Sequence, residues 1–576
     1  MKILGKYLKK EAWLALLGIG FVAVVALMEL YQIQLMAKII DVGIAQQDFE
    51  IVKSVGLQMV ILAILGAIVA MMGLYFPSQV SNNFALRLRE DVFAKIQTFS
   101  LKNMSSFQTA SLVTRLTNDI NFLQRMVMMM LRMAVRAPVF LVATVVLTYF
   151  ISPILASVLF FSVVFLSITL GLVIRQGFPR FIKLQKKVDK MNQTVQESLS
   201  NIRVIKSFVR EPFEDEAFVT ENHELYDASV SANILMVYMS PALMTAINFA
   251  TAIVVYIASI LIVDMKTLNI GELVVVISYL RFTMFSMMML SHVLMMFSRS
   301  KASFERVAEV LNTNVDIETS SDARPLEDSQ GLIEYKNVSF TYFDDMESIL
   351  SNINFKVEPG KHIGIIGSTG AGKTTLINLL VRLIDVTDGE ILFDGQNIKD
   401  IDLKYLRSQF GFVPQKNVLF TGTIEENLKL GNENASMELL ERATKAASIN
   451  AFIHEDKLGY QALIQQGGTN LSGGQRQRMC IARALITEPK VLVLDDSTSA
   501  LDAATEKQVK ESLAELYSDI SIISIAQKIS SVADSDTIIV MDQGQIVGLG
   551  QHLDLLETSS VYKEIYDSQM RKGELE

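Results

Sequence analysis

The feature that most constrains the fold is a series of six apolar runs, each long enough to cross a lipid bilayer as a helix. A membrane-spanning helix needs about 20 consecutive, mostly apolar residues. The runs lie near residues 13–36, 55–77, 133–151, 154–175, 236–263 and 272–297. The chain has 576 residues and a mean hydropathy of +0.34, yet residues 301–576 have the composition of a soluble α/β domain. The sequence therefore predicts a helical membrane domain followed by a soluble domain.

Lysine and arginine residues are concentrated in alternate connections between these runs. They precede the first run and fill the segments after the second and the fourth, whereas the other loops are acidic, minimal or nearly balanced. Cytoplasmic loops carry this excess of positive charge. We therefore expect a multi-pass protein of the cell membrane with both termini and the soluble domain in the cytoplasm. The segments 78–132 and 176–235 have helical apolar spacing and are predicted to extend the membrane helices as long cytosolic hairpins.

The charge and the cysteine content exclude several classes of partner. The formal net charge is −9 and no stretch has the basic density of a nucleic-acid surface, so we expect no nucleic-acid partner. The single cysteine, Cys480, cannot form an intramolecular disulfide and is predicted to be a packed core thiol.

Polar residues inside the apolar runs are candidates for a substrate path, because ionisable groups are costly in a membrane. Glu29 lies in the first run, Asn248 in the fifth and Arg281 in the sixth. Pairing between helices is the alternative interpretation of these positions. The chain also has 28 methionines, which either line a cavity for varied small hydrophobic substrates or fill the core and the lipid-facing surface.

Residues 312–331 form a polar stretch that is typical of a linker. The predicted organisation is a membrane domain over residues 1–311, the linker over 312–331 and the soluble domain over 332–576.

A glycine-rich motif in the soluble domain predicts a phosphate-binding loop. The apolar segment 362–367 is followed by the P-loop pattern and then by an apolar helical stretch. The predicted ATP-binding residues of this loop are Gly367, Ser368, Thr369, Gly370, Ala371, Gly372, Lys373, Thr374 and Thr375. In this motif backbone N–H groups surround the phosphates, Lys373 reaches the β- and γ-phosphate oxygens, and the Thr374 hydroxyl binds Mg²⁺. The N-terminus of the next helix adds a favourable dipole.

A second element of the same site is the apolar run 491–494, which ends at Asp495. A buried parallel strand that delivers a carboxylate at its C-terminal end suits a Mg²⁺ ligand. Together with the P-loop, this pattern predicts an ATP and Mg²⁺ site.

The motif just ahead of that strand resembles the signature of the ATP-binding cassette (ABC) superfamily. It consists of Leu471, Ser472, Gly473, Gly474 and Gln475. Six runs followed by one cassette resemble the layout of an ABC exporter half-transporter. The resemblance implies that Tyr342 stacks on adenine, that Gln415 contacts Mg²⁺ and the membrane domain, and that residues 499–502, with Asp502, form the D-loop.

The resemblance also implies a dimer. In the family, the signature of one chain covers the γ-phosphate bound to the opposite chain, so that two ATP molecules are held between two cassettes. The cytosolic hairpins would carry the movement to the membrane helices, and we expect them to contact the cassettes near Asn118–Gln124 and Arg210–Phe218.

Two positions next to the expected γ-phosphate depart from the family pattern. Asp496 stands where active members have the glutamate that polarises the attacking water, and Gln527 stands where they have a histidine. Aspartate is one methylene shorter, and a neutral amide cannot carry the charge of an imidazolium. We therefore expect Asp496 and Gln527 to form a degenerate catalytic pair that binds ATP but hydrolyses it slowly.

This asymmetry resembles the heterodimeric bacterial multidrug ABC exporters. It implies a second half-transporter chain with Glu and His at the corresponding positions, and an ATPase coupled to the efflux of hydrophobic or amphipathic compounds. A lipid or peptide exporter of the same architecture, a regulatory ATP-binding subunit and a homodimer with two slow sites remain open as alternatives.

Overall fold

The structure is a computed structural model that describes residues 2–317, 323–342, 347–498 and 500–573. The chain divides into two compact units. The helical unit comprises Met1–Gln97 and Thr109–Asn312, and the α/β unit comprises Thr98–Gln108 and Thr313–Glu576. The α/β unit thus includes a short piece of the first predicted hairpin.

Helices, most of the chain in long ones, account for nearly all of the residues up to 312. These helices are α1 (Lys2–Lys10), α2 (Ala12–Lys38), α3 (Phe49–Gln97), α4 (Leu101–Ser106), α5 (Thr109–Thr114), α6 (Ile120–Ile151), α7 (Pro153–Ser200), α8 (Ile202–Ser207), α9 (Glu211–Val263) and α10 (Ile270–Asn312). Two π-helical segments, Ile39–Ile44 and Arg115–Asp119, follow α2 and precede α6.

The apolar segments of these helices agree with the six predicted runs. Within the described residues, five segments are long and apolar enough to cross a membrane. They are Ala12–Ile44, Phe49–Gln97, Thr109–Ile151, Met244–Val263 and Ile270–Asn312. A shorter apolar segment, Pro153–Thr169, opens α7 and matches the fourth run. The helices α3, α6, α7 and α9 continue well beyond the predicted apolar runs, as the hairpin prediction requires.

The core of the helical unit lies between α2, α6, α7, α9 and α10. Leu30, Phe140 and Tyr279 are its largest fully buried side chains from the first, second and last of these helices. The Phe140 and Phe282 rings pack with their centroids 5.0 Å apart. Packing of this kind, rather than exclusion of water, is what holds helices together in lipid.

A buried carboxylate connects the N-terminal end of α6 to α10. Asp119 is only 3% exposed and accepts hydrogen bonds from Ser303 Oγ and Arg306 Nε, each at 2.8 Å. The Arg115 Nη1 group donates to the Arg306 carbonyl at 2.8 Å. The segment Asn118–Gln124 belongs to the helical unit, and its carboxylate Asp119 faces α10. A contact of this segment with a cassette stays a prediction.

Substitution of Asp119 by Asn should destabilise the helical unit by about 2 kcal/mol, because Arg306 loses its charged hydrogen-bond acceptor. Thermal unfolding of the purified protein in detergent measures this effect. The matched control is Glu305→Gln, since the Lys301–Glu305 pair is 3.8 Å apart with both side chains exposed. The control should change stability by less than about 0.5 kcal/mol. Equal losses for the two variants would contradict the structural role of Asp119.

The short helix α4 is part of the α/β unit. Ser100 and Asn103 form a capping box, with Asn103 N donating to Ser100 Oγ at 3.0 Å and Ser100 N donating to Asn103 Oδ1 at 3.2 Å. The same side chains bind the chain after α10, at Asp316 Oδ2 (3.1 Å) and the Asn314 carbonyl (3.1 Å). Leu101 N donates to the Leu383 carbonyl at 3.2 Å. Residues 98–108 are therefore part of the α/β unit.

In the second hairpin the chain reverses around α8. The helix α9 then begins at Glu211, so that Arg210–Phe218 lies in its first turns. A contact of that segment with a cassette stays a prediction.

Twelve strands are described in the α/β unit. They are β1 (Ile333–Phe340), β2 (Leu350–Val357), β3 (His362–Gly367), β4 (Asp388–Phe393), β5 (Gln396–Asn397), β6 (Phe410–Val413), β7 (Gly422–Thr423), β8 (Leu463–Ile464), β9 (Val491–Asp495), β10 (Ser521–Ile525), β11 (Thr537–Asp542) and β12 (Gln545–Gly550). The described helices of this unit after α4 are α11 (Lys373–Leu380), α12 (Leu403–Ser408), α13 (Ile424–Lys429), α14 (Met437–Ala446), α15 (Asn450–Glu455), α16 (Gly473–Leu485), α17 (Ala503–Leu516), α18 (His552–Thr558) and α19 (Ser560–Gly573).

The largest sheet sets the position of the predicted site. Its strand order is β12-β11-β3-β10-β9-β6, and every neighbouring pair except β11–β12 is parallel. A second, four-stranded antiparallel sheet has the order β2-β1-β4-β5. Cys480 is 1% exposed in the core beside the large sheet, which confirms the predicted core thiol. Because the carboxyl ends of parallel strands share one edge, the loops after β3, β10, β9 and β6 meet there.

Candidate nucleotide-binding site

The P-loop connects the end of β3 to the start of α11. Met541 carbonyl oxygen would lie 2.1 Å from a Cβ atom added at Gly367, so only glycine fits between β3 and β11 at this point. Gly372 caps α11 with φ 93°, and an added Cβ atom would lie 2.6 Å from Leu350 Cδ2. Between these two glycines, Ser368, Thr369 and Gly370 are exposed, whereas Ala371 is buried. The loop therefore presents its backbone outward while its two end glycines are packed against neighbouring strands.

Lys373 turns its ammonium group back over this loop. Its Nζ atom donates to the Gly367 and Ser368 carbonyls, each at 2.8 Å. Partial burial lowers the pKa of Lys373, while Asp495 and Asp496 oppose that shift. The cation thus lies at the loop, where the charge of a phosphate would stabilise it.

Thr374 and Asp495 bring two oxygen atoms together beside the loop. Thr374 Oγ1 donates to Asp495 Oδ1 at 3.3 Å. Asp495 is 2% exposed, and burial raises the pKa of its carboxyl group even though the hydrogen bond from Thr374 acts in the opposite direction. A divalent cation held by these groups would stabilise the buried carboxylate.

This donor set fits Mg²⁺ with a nucleoside triphosphate. Hydroxyl and carboxylate oxygens are the protein ligands that Mg²⁺ prefers alongside phosphate. The exposed P-loop backbone, the α11 N-terminus and Lys373 supply donors and positive charge for the phosphates. When bound, Mg²⁺ would neutralise charge on the phosphate oxygens; Thr374 and Asp495 are the residues that would hold it.

Asp496 and Gln527 are in direct contact. Gln527 Nε2 donates to Asp496 Oδ2 at 2.8 Å, although the two residues are 31 positions apart. Asp496 follows β9 with φ 50°, a left-handed conformation that aspartate tolerates better than most side chains. The backbone is fixed as well, since Asp496 N donates to the Ile525 carbonyl at 3.0 Å. The sheet therefore brings the two departures from the family pattern together beside Lys373 and Asp495.

The signature residues begin α16. Ser472 and Gln475 form a capping box, in which Gln475 N donates to Ser472 Oγ at 3.2 Å and Ser472 N donates to Gln475 Oε1 at 2.8 Å. Leu471 is buried, whereas Ser472 is exposed. Gly474 lies against the segment after β9: an added Cβ atom would be 3.4 Å from the Ala500 carbonyl oxygen. The described contacts do not join this signature to the P-loop of the same chain.

Asp502 caps the helix that follows the predicted D-loop. Its carboxylate accepts from Thr505 N at 2.9 Å and from Thr505 Oγ1 at 2.8 Å, and these bonds lower its pKa. Ser499 of that loop lies outside the described residues.

The contacts of Gln477 with the loop after β9 were not predicted from the sequence. Gln477 is 1% exposed, its Oε1 atom accepts from Ala500 N at 3.2 Å, and its Nε2 atom donates to the Asp496 carbonyl at 3.4 Å. Its amide thus links the signature helix to both ends of the loop after β9. The sequence held a signal for it, because Gln477 shares a helix face with the apolar Cys480, Ile481 and Ala484.

Two further predicted residues lie apart from these hydrogen bonds. Tyr342 is half-buried after β1 and packs edge-on against Phe340, with ring centroids 4.8 Å apart. Gln415 is exposed two residues after β6, at the shared carboxyl edge of the sheet. Stacking of Tyr342 on adenine and binding of Mg²⁺ by Gln415 stay predictions.

Comparison with known proteins agrees with this site. Residues 15–287 match the ABC transporter transmembrane region, and residues 350–499 match the ABC transporter family. The chain is 36% identical to the ABC transporter ATP-binding protein YfiB of Bacillus subtilis, with 98% of both chains covered. The chain belongs to the ABC transporter family.

Other ABC transporters resemble the chain over a similar length. It is 32% identical to the ABC transporter ATP-binding protein Rv1273c of Mycobacterium tuberculosis, with 94% of each chain covered. A bacterial Atm1-family ABC exporter solved with ATP bound superposes with a TM-score of 0.78 at 27% identity, covering 98% of both chains. The predicted fold class, a helical membrane domain with cytosolic extensions plus an ABC-type α/β cassette, is confirmed. The protein is an ABC exporter half-transporter of the membrane, and its ATP-binding domain implies transport coupled to an ATPase.

The three polar candidates of the membrane helices differ in their surroundings. Arg136 Nη2 donates to both carboxylate oxygens of Glu29 at 2.5 Å, so Glu29 forms a pair between α2 and α6. Asn248 and Arg281 are exposed on α9 and α10. A role of the three in binding substrate stays a prediction.

Replacing Gly372 by Ala should destabilise the α/β unit by about 2–4 kcal/mol and weaken ATP binding, because the added methyl group meets Leu350 in a backbone conformation that alanine disfavours. Thermal unfolding and nucleotide titration of the full-length chain measure the two effects. Gly360→Ala is the matched control: it also has positive φ (70°), but nothing lies within 4 Å of the added Cβ atom. The control should cost only about 1–2 kcal/mol and leave ATP binding unchanged. If both variants bind ATP equally well, the close packing of Gly372 does not shape the loop.

Proposed function

We propose that this chain is one subunit of a heterodimeric ABC exporter that moves hydrophobic or amphipathic compounds, drugs among them, out of the cell. Its own ATP site binds nucleotide but hydrolyses it slowly. The observation that carries the proposal is the 2.8 Å hydrogen bond from Gln527 to Asp496. It occupies one oxygen of the carboxylate that would have to polarise the attacking water.

The chemistry of the pair favours slow hydrolysis. The Asp496 carboxylate is drawn back by one methylene compared with a glutamate, so it is poorly placed to act as a general base. Gln527 can donate a hydrogen bond to the γ-phosphate, but it brings no positive charge. Loss of positioned acid–base help typically lowers a rate by about 10²–10⁴. Because the P-loop, Lys373 and the Thr374–Asp495 pair are in place, binding is expected to survive.

The proposed partner chain is inferred from the contrast between the degenerate residues Asp496 and Gln527 and the complete signature of the same chain. The signature at the start of α16 is complete, and its exposed Ser472 and helix N-terminus suit an anionic ligand held by another chain. A second half-transporter with Glu and His at the positions of Asp496 and Gln527 would supply a competent site for this signature to complete. One site would then serve mainly to hold the dimer, and the other would turn over.

The composition of the membrane helices favours a small, largely apolar cargo. The apolar segments carry few ionisable side chains, and Glu29 is already paired with Arg136. The 28 methionines of the chain offer adaptable apolar surface of the kind that promiscuous sites use. These features favour varied hydrophobic or amphipathic compounds.

In the assembled pair, Asp496→Asn should leave at least about half of the transport rate, because this site contributes little hydrolysis. Neutralising the partner's corresponding glutamate should lower transport by about 10²-fold or more. Transport into inside-out vesicles measures both. Two equally damaging substitutions would contradict the asymmetric sites.

Two combined substitutions in this chain, expected to restore activity to its site, provide the matched control. With the partner's glutamate neutralised, Asp496→Glu combined with Gln527→His should raise the remaining ATPase rate above that of the same complex carrying the native residues. Each single change should do less, because the base and the γ-phosphate contact act together.

The ATPase response to candidate cargo distinguishes a heterodimer that transports drugs from one in which this chain is only a regulatory subunit. If the pair is a multidrug exporter, amphipathic drugs should stimulate the ATPase of the reconstituted complex several-fold. Stimulation by lipids or peptides alone would favour the exporter of other cargo, and a drug response that persists without this chain would favour a regulatory subunit. A transport-competent dimer of this chain alone would instead indicate a homodimer.

A further inference from the structure

We propose that Gln569, in the C-terminal helix α19, is a positioning residue for the ATP site. It holds the backbone that aims Gln527 at Asp496 and at the γ-phosphate. The inference rests on the proposed role of Gln527 at the ATP site. It adds that Gln569, which lies 42 positions later in the chain, fixes the orientation of Gln527.

The side-chain amide of Gln569 binds the backbone on both sides of Lys528. Its Nε2 group donates to the Gln527 carbonyl at 2.8 Å, and its Oε1 atom accepts from Ile529 N at 2.9 Å. The oxygen and the nitrogen of one side-chain amide therefore bind two residues that lie about 40 positions earlier in the chain. An amide that binds two backbone groups in this way fixes their relative orientation as well as their distance.

The helix that carries Gln569 is itself firmly seated. Tyr562 is fully buried, and its hydroxyl lies 2.7 Å from His552 Nδ1. Ile565 and Tyr566 pack against the cluster that contains Ala526 and Ile529. The segment held by Gln569 thus lies between the large sheet and α19, and a movement of the helix would be transmitted to it.

Among the described hydrogen bonds, the Gln527 carbonyl accepts from Gln569, whereas the next carbonyl, that of Lys528, accepts from Ser531 N at 3.2 Å. Ala526 N donates to the Ile365 carbonyl at 3.1 Å, which fixes the residue before Gln527 to the strand that precedes the P-loop. Gln527 itself is exposed, and the described structure gives its side chain the bond to Asp496. Without Gln569 the peptide after Gln527 could rotate, and the side chain would lose its fixed direction.

The test uses the full-length chain in nanodiscs with Mg²⁺. Dissociation constants for ADP and for the non-hydrolysable ATP analogue AMP-PNP are measured by displacement of a fluorescent nucleotide. The preference for AMP-PNP over ADP reports the γ-phosphate alone, whereas a general loss of structure would weaken both ligands. The variants are Gln527→Ala, Gln569→Ala and the double variant, with Ser568→Ala, exposed on the same helix, as control.

We expect Gln527→Ala to lower the preference about tenfold, as for loss of one hydrogen bond to a charged group. Gln569→Ala should lower the preference about three- to tenfold, while its dissociation constant for ADP stays within about twofold of the native value. For the control Ser568→Ala, both the preference and the ADP dissociation constant should stay within about twofold of the native values. The double variant should match Gln527→Ala, because Gln569 acts only through the missing side chain. The Gln527→Ala chain keeps the backbone atoms that Gln569 binds, so its clamp remains intact.

Three results would overturn the inference. A normal preference in Gln569→Ala beside a reduced one in Gln527→Ala removes the positioning role and leaves the proposed function standing. Additive losses in the double variant mean that Gln569 acts by another route. An unchanged preference in Gln527→Ala removes the proposed role of Gln527 and the inference with it. If Gln569→Ala does not fold, Gln569→Glu, which keeps the acceptor for Ile529 N and loses the donor to Gln527, takes its place with the same expectations.

Discussion

Parallel pairing of β3, β10, β9 and β6 is the constraint on which the nucleotide site depends. In register, Ile525 lies beside Ile365 on one side and beside Asp495 on the other. The loops that follow therefore start at the same height, and residues from widely separated parts of the chain meet within hydrogen-bond distance. Few local features of the loops are needed to bring the P-loop, the Asp495 carboxylate and Gln527 together, because the sheet already does so.

The sequence predicts well where the physical signal is local. Six apolar runs indicate membrane helices, and a glycine pattern followed by Lys373 and Thr374 indicates a phosphate loop, because in each case neighbouring residues carry the requirement. The same holds for the core position of Cys480. Each of these inferences needs only a short window of sequence.

The contacts that depend on register could not be predicted in this way. The bond between Gln527 and Asp496 requires the pairing of β9 with β10, and the amide of Gln569 requires α19 to pack beneath the strand end. The direction in which Asp119 faces, within the predicted contact segment Asn118–Gln124, could not be predicted for a related reason. The apolar spacing of that segment is the same whether its polar side chains face a cassette or, as for Asp119, a neighbouring helix.

The division of the chain at Gln97 has a consequence for how the protein is made. Ser100 and Asn103 bind residues that lie 216 and 211 positions later, beyond the last membrane helix. At about 5–20 residues per second of synthesis, these partners emerge from the ribosome roughly 10–40 s after α4. All the later membrane helices are translated in that interval. The cassette can therefore complete its fold only after every membrane helix has been translated, so α4 must wait for its binding site until then.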